Sequence, residues 1–183
     1  MRLTRDTHQF NHIYRAEVKD NNDPRQLGRI KVWIDDVFQN IDVSLIPWAV
    51  PAMPVFTGAG NDYGCFDVPE VGSWVFVFFE AGDLYQPVYF LSAPNAVHGL
   101  PTERITNYPS RHVKKTKSGI VIYIDDADKV VRLTHPTGKY IEMDGNGNVV
   151  VEAENVTIQA SGEVNVSATG NVTISGAVVD LNP

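Results

Sequence analysis

The chain has a single cysteine, Cys65, so no intrachain disulfide can form, and folding in a reducing compartment fits that count. No base partner lies near Cys65 in sequence, and it reads as a packed thiol rather than a nucleophile. No apolar run approaches the roughly 20 residues of a membrane helix. The opening stretch MRLTRDTHQFNHIYR has no apolar segment, so a signal peptide is not expected. Basic residues are missing from the last part of the chain: no Lys or Arg follows Lys139, while Glu142, Asp144, Glu152, Glu154, Glu163 and Asp180 do. That tail holds nearly all of the net charge of −7. It argues against binding nucleic acid and against electrostatic docking on anionic lipid. Catalytic signatures are lacking as well. His8, His12, His98, His112 and His135 are scattered, and no Gly-x-Ser-x-Gly or comparable motif gathers a nucleophile with a base.

What the chain does have is a repeat. From Asn155 to Gly176 it reads NVTIQASG, EVNVSATG, NVTISG. Val156, Val164 and Val172 recur at a step of eight, as do Ile158, Val166 and Ile174. Every even position in this stretch is Val, Ile, Ala or Gly, and every odd one is polar. Period two means a strand with one buried face. The stretch is far longer than the usual strand of about 5–6 residues, so Gly162, Gly170 and Gly176 read as corners between short strands. An eight-residue repeat of this kind is the signature of a β-helix or solenoid. One copy buries too little to stand alone. At roughly 25 cal/mol per Å² its small side chains barely offset an ordering cost of about 1–2 kcal/mol per residue, and its edges stay unpaired. Several identical chains wound about one axis solve both problems, and a homotrimer is the simplest such prism. The competing reading, an edge of a two-layer sandwich, has no need of an eight-residue period. The sequons at Asn155, Asn165 and Asn171 are by-products of the repeat. The alternation fails after Gly176, so Val178, Val179 and Leu181 are expected to form a differently built tip, with contacts of their own.

The first half is β as well. Residues 14–20 read as a strand and NNDP (21–24) as a turn. Gly28 to Asp35 alternates, with Ile30, Val32 and Ile34 on one face. The prolines of 46–51 confine that segment to an edge or an extended loop. The loop TGAGNDYG (57–64) lacks the Gly-Lys-Ser/Thr ending of a phosphate loop. Trp74 to Phe79 is apolar on both faces, so something must also cover the outer one; of a loop and another subunit, another subunit is the expectation. AGDLYQP (81–87) connects to a return strand at 88–91. No helical period of any length occurs. Five short strands in about 80 residues fit a small OB-type barrel.

The strings GRIKVWI (28–34), IPWAVPAMP (46–54), AGNDYG (59–64), PEVGSWVFVFFEAGD (69–83) and QPVYFL (86–91) resemble the OB domain of bacteriophage tail-spike proteins. These are the central needles of contractile-tail baseplates, related to the valine-glycine-repeat spikes of type VI secretion. The resemblance covers most of residues 14–95, in the family's order. It implies an OB barrel above a trimeric β-helix that forms a needle, a baseplate hub protein at the barrel end, a location in the virion tail after assembly in the host cytoplasm, and the host outer membrane as target. Some members carry a muramidase domain after the barrel; the stretch here is too short for one. Some needles bind iron at the apex through His-x-His. No histidine follows His135, so no metal, cofactor or catalytic residue is expected, and a separate capping protein or a blunt apex is expected at the tip.

The expected architecture is therefore all-β: an OB barrel over 1–95, a polar linker over 96–118, and an intertwined trimeric β-helix over 119–183. Within the last part, Ile120, Ile122 and Ile124 share a face. DDADKV (125–130), HPTG (135–138) and DGNGN (144–148) read as turns. A phase slip near Glu154, between odd-numbered Val149 and Val151 and the later even stripe, requires a bulge or corner. Lys114, Lys115 and Lys117 read as a solvated face, and Asp125, Asp126 and Asp128 as a solvated turn rather than a calcium loop. The leading function is a structural spike driven by sheath contraction to pierce an envelope, without enzymatic activity. The alternatives are an oligonucleotide- or glycan-binding OB module on a trimerising stalk, in which Trp33, Trp48, Trp74, Phe76, Phe78, Tyr85 or Tyr89 stack on bases beside Lys31, and, less well supported, a cell-wall hydrolase.

Overall fold

The computed structural model describes residues 10–55, 58, 62–97 and 99–180. Five strands build the first unit: β1 (Tyr14–Asp20), β2 (Lys31–Trp33), β3 (Val50–Pro51), β4 (Trp74–Phe79) and β5 (Pro87–Ser92). β1 lies between β2 and β4, antiparallel to both, and β4 pairs antiparallel with β5. β3 lies parallel to β5. Reciprocal backbone bonds of 3.1 and 2.7 Å between Ile30 and Ala49 join the β2 side to the β3 side and close the barrel. The circuit β1-β2-β3-β5-β4 is that of an OB barrel, as the sequence predicts.

Alternation places the core. Ala16 and Val18 of β1, Val32 of β2, and Val75, Val77 and Phe79 of β4 point inward with Ile30, Ile34, Phe38, Ile46, Ala49 and Tyr89. Trp74, Phe76 and Phe78 point outward and are half-buried. Much of their cover is intramolecular: the Phe90 ring lies 6.1 Å from Phe76 and 5.9 Å from Phe78, and the Arg15 guanidinium sits 4.9 Å above Phe76. The β1–β2 connection is held by Asp23, whose carboxylate accepts from the backbone N–H groups of Arg25, Leu27 and Arg29 and pairs with the Arg29 guanidinium. Gly28 is required in this turn. Its φ is +74°, and a Cβ there would meet the Phe66 ring at 2.9 Å. The glycine-rich stretch 57–64 lies largely outside the described residues.

The second unit is an antiparallel meander of β6 (Arg111–Lys115), β7 (Val121–Asp125), β8 (Val130–Thr134), β9 (Tyr140–Met143) and β10 (Val149–Glu152), each strand beside the next. The three segments read as turns connect them. In the last, Asp144 Oδ1 accepts from the N–H groups of Asn146 and Asn148, and Gly147 takes a φ of +82°. The sheet begins earlier than the sequence implies. β6 falls inside the stretch expected to be linker, and a 3₁₀ turn over Thr102–Ile105 precedes it. The charged sequence RHVKK conceals this strand because its cations are used locally: Arg111 pairs with Asp125, and Lys115 with Glu103.

Residues 153–180 are extended and join no ladder. Bends occur at Ser161-Gly162 and again eight residues on at Thr169-Gly170, with others at Glu154 and Ala177. The step of eight is thus present in the backbone. The single chain shows no wound prism.

Candidate functional site

The meander sorts its side chains by face. Cross-strand register aligns Ile124 with Val131 and Met143, and Ile122 with Leu133 and Ile141; Val149 and Val151 follow on β10. Eight aliphatic residues therefore share one side of four strands, and each is exposed. The opposite side is charged and internally satisfied. Arg132 Nη1 donates to Glu142 at 3.1 Å, directly across β8 and β9, and the same guanidinium lies 3.6 Å from the Tyr140 ring centroid. Arg111 lies 4.4 Å above Tyr123 and bonds Asp125. Antiparallel sheets usually bury one face and leave the polar one in water. Here the polar face is complete and the apolar face stands open.

The predicted stripe continues this pattern. Val156, Ile158, Val164, Val166, Val172 and Ile174 are between 51% and 74% exposed. None is buried by its own chain. Gly162 and Gly170 sit at bends, and Gly176 immediately precedes the bend at Ala177. Val178 and Val179 are exposed, and Leu181 lies outside the described residues. The eight-residue face of the meander is the feature that sequence reasoning missed. Ile120, Ile122 and Ile124 share a face by sequence, but the odd-numbered Val131, Leu133, Ile141 and Met143 join Ile122 and Ile124 only once the turns set the register.

One expectation about charged groups changes, at Asp125; Asp126, Asp128, Lys114, Lys115 and Lys117 are exposed, as expected. Asp125 is not solvated: it is fully buried, and accepts from Arg111, from Asn107 Nδ2 and from the N–H groups of Ala127 and Asp128. Burial pushes its pKa up, but the Arg111 bond, the Asp128 N–H and Asn107 outweigh this and hold the carboxyl below its ordinary range. The cluster buckles the approach loop to the sheet. The three lysines are each paired: Lys114 with Asp67 at 3.1 Å, Lys115 with Glu103 at 2.6 Å and Lys117 with Glu70 at 3.2 Å. Lys114 and Lys117 thereby tie the sheet to the barrel.

Lys31, Trp33 and Trp48, three of the groups that could stack on bases, have partners within the barrel, whereas Tyr85 is 79% exposed. Lys31 is buried, and its ammonium donates to the carbonyls of Val43 and Ser44. It lies 5.1 Å from Trp48, whose ring also carries Arg29 at 5.6 Å. Trp33 donates to Asp35 at 2.8 Å.

A closed OB barrel leading into a five-stranded antiparallel sheet defines the class: an all-β protein headed by an OB barrel. Residues 14–93, the barrel, match the model of the type VI secretion system/phage-baseplate injector OB domain. No curated protein matches the chain. The match ends at the last barrel strand, so the meander and the octads lie beyond it.

Proposed function

We propose that three copies of this chain form the central spike of a contractile phage tail or a related injection machine, and that its work is mechanical. The carrying observation is the octad stripe: a regular apolar row, bent every eight residues, that its own chain leaves in water. Between corners about six extended residues span roughly 20 Å. Three such segments from three chains close a triangular section in which the valines and isoleucines meet and the edges pair with neighbours. A rod of that kind has its hydrogen bonds spread along its length and transmits thrust without bending. The family of the barrel supports placing that end on a baseplate hub and the spike in the virion tail. The acidic outer residues keep assembled rods apart. In this reading the protein is not an enzyme, holds no cofactor, binds no nucleic acid, is assembled in the host cytoplasm, and meets a capping protein at Val178, Val179 and Leu181 before reaching the host outer membrane. Whether the machine is a phage or a secretion system derived from one does not alter the mechanics.

The deciding measurement is the solution mass of the whole chain by light scattering. Three times 20.3 kDa, stable in mild detergent, is expected. A single-chain mass ends the spike reading. Labelled antibody against the chain is expected to decorate the tip of isolated tails; decoration elsewhere on the particle argues for another role.

A further inference from the structure

We infer that the barrel is hinged on the second sheet about residues 95–99 and is held in one orientation by two lysine–carboxylate clasps that salt releases. The joint belongs to a single chain, so it stands or falls independently of the three-chain reading above.

Both sides of the joint are stiff. On the barrel side, the loop carrying Asp67 and Glu70 is pinned to β1 and the residues that follow it. Asn21 Nδ2 donates to the Pro69 carbonyl at 3.1 Å, the Gly72 N–H to the Val18 carbonyl at 2.8 Å, and the Ser73 N–H and hydroxyl to the Glu70 carbonyl at 3.0 and 2.6 Å. On the sheet side, Lys114 lies in β6 and Lys117 in the turn to β7. There the Gly119 N–H donates to the Thr116 carbonyl and the Ile120 N–H to the Thr116 hydroxyl, both at 3.0 Å. The chain that connects the two units is clamped at each end by an arginine. Arg15 Nη1 reaches from β1 to the carbonyls of Ala93 and Pro94, both at 3.2 Å. Arg104 Nη1, in the 3₁₀ turn before β6, donates to those of Leu100 and Pro101 at 2.9 and 2.8 Å. Between the clamps the Val97 N–H bonds the Asn95 side chain at 2.8 Å, a local contact that crosses to neither unit. Each described residue from 94 to 100 is exposed, and a Cβ at Gly99 would meet nothing within 4 Å. Two ion pairs bridge the units beside this connection, Lys114–Asp67 and Lys117–Glu70, and all four side chains are more than half exposed. An ion pair in water favours its closed geometry by a factor of a few. Two together bias the joint by on the order of tenfold at low salt, and screening removes that bias. The backbone ladders inside each unit have no such dependence. The result is a head that tilts on its mount while barrel and sheet each keep their shape.

The test is carbodiimide cross-linking of the natural full chain, which joins a lysine amine to a carboxylate where the two touch. Salt is varied from about 10 mM to about 1 M, a range over which the screening length falls from about 30 Å to about 3 Å. Linked peptides are quantified by mass spectrometry. Lys139–Glu152 is the control, an exposed pair at 3.1 Å with both partners on the second unit. The yields at Lys114–Asp67 and Lys117–Glu70 are expected to drop about fivefold or more with salt, and that at Lys139–Glu152 by less than about twofold. The linked product is expected to run as one chain, 20.3 kDa, on a denaturing gel. An equal drop at all three pairs, or none, overturns the hinge. Product at twice that mass means that the lysines reach a second copy, and overturns it as well. A second measurement compares Lys114→Glu/Lys117→Glu with the swap that adds Asp67→Lys/Glu70→Lys. Thermolysin is expected to cut before Val97 or Leu100 about three times faster in the reversed chain, and at the natural rate in the swapped one. Equal rates in all three chains would mean that the clasps hold nothing.

Discussion

Tyr89 shows how tightly the barrel fixes a single group. Its hydroxyl donates to the Gly28 carbonyl at 2.6 Å from a buried position, and Gly28 is the residue whose φ and closeness to Phe66 exclude a side chain. Burial pushes the phenol from 10.0 up to about 12. A folded-state value raised above the unfolded one means full stability below about pH 10, lost as pH rises from there through about 12. Tyr89→Phe is expected to cost about 1 kcal/mol at neutral pH, since the Gly28 carbonyl loses its donor, and to remove this alkaline limb. Urea midpoints at neutral and alkaline pH check both. Asp125 works in the opposite sense. Its value is depressed, so its contribution is present above the ordinary 3.8 and fades as pH falls below it. Asp125→Asn strands a mostly buried Arg111. A lower melting temperature at pH 7 is expected, with a smaller difference from the natural chain at pH 3; equal differences at both pH values would show that the charge is not what matters.

At the scale of elements, the octad alternation makes a paired prediction. Val166→Asp puts a carboxylate on the apolar side, where burial in a shared interior is costly, and is expected to shift the solution mass from three chains toward one. Asn165→Asp, one residue away on the polar side, is expected to leave it unchanged. Similar effects from both would mean that the stripe has no inside. The same elements show what could be read before the fold was known. β1 and β4 fall where period two and two-sided apolarity place them, because strands with strong internal patterns declare themselves. β3 is only two residues long, and Val50-Pro51 is recognisable as strand only through its parallel partner on β5. β6 reads as linker because four of its five residues are Arg, His or Lys, and nothing local says that Asp125 and Glu103 lie opposite. The open face of the meander was illegible for another reason. It is a property of register between strands, and register is set by Asp144, Gly147 and Lys129 in the turns rather than by the strands themselves. The octads are the easiest to see and the hardest to complete, since their own chain leaves the apolar stripe exposed.

For the whole molecule, charge is distributed so that the barrel end is nearly neutral and the far end acidic. Among the described residues, Lys31 and Arg29 are committed to carbonyls, to Asp23 and to Trp48. Single-stranded DNA is therefore expected to show no retention on filters at any salt concentration from low to physiological. Tight, salt-sensitive retention would favour the OB-binding alternative. Barrel and sheet communicate through the exposed pairs Lys114–Asp67 and Lys117–Glu70, contacts that salt weakens.

The bends at Ser161-Gly162 and Thr169-Gly170 carry a last consequence. A rod whose corners fall at a fixed step can change length only in whole rungs. Removing residues 163–170 shortens it by one rung and leaves every remaining valine facing its neighbours, so such a chain is expected to keep its three-chain mass. Removing seven of those residues turns everything downstream inside out. In the proposed three-chain rod, reach is therefore counted rather than continuously adjustable, and a change of length keeps the stripe inside only eight residues at a time.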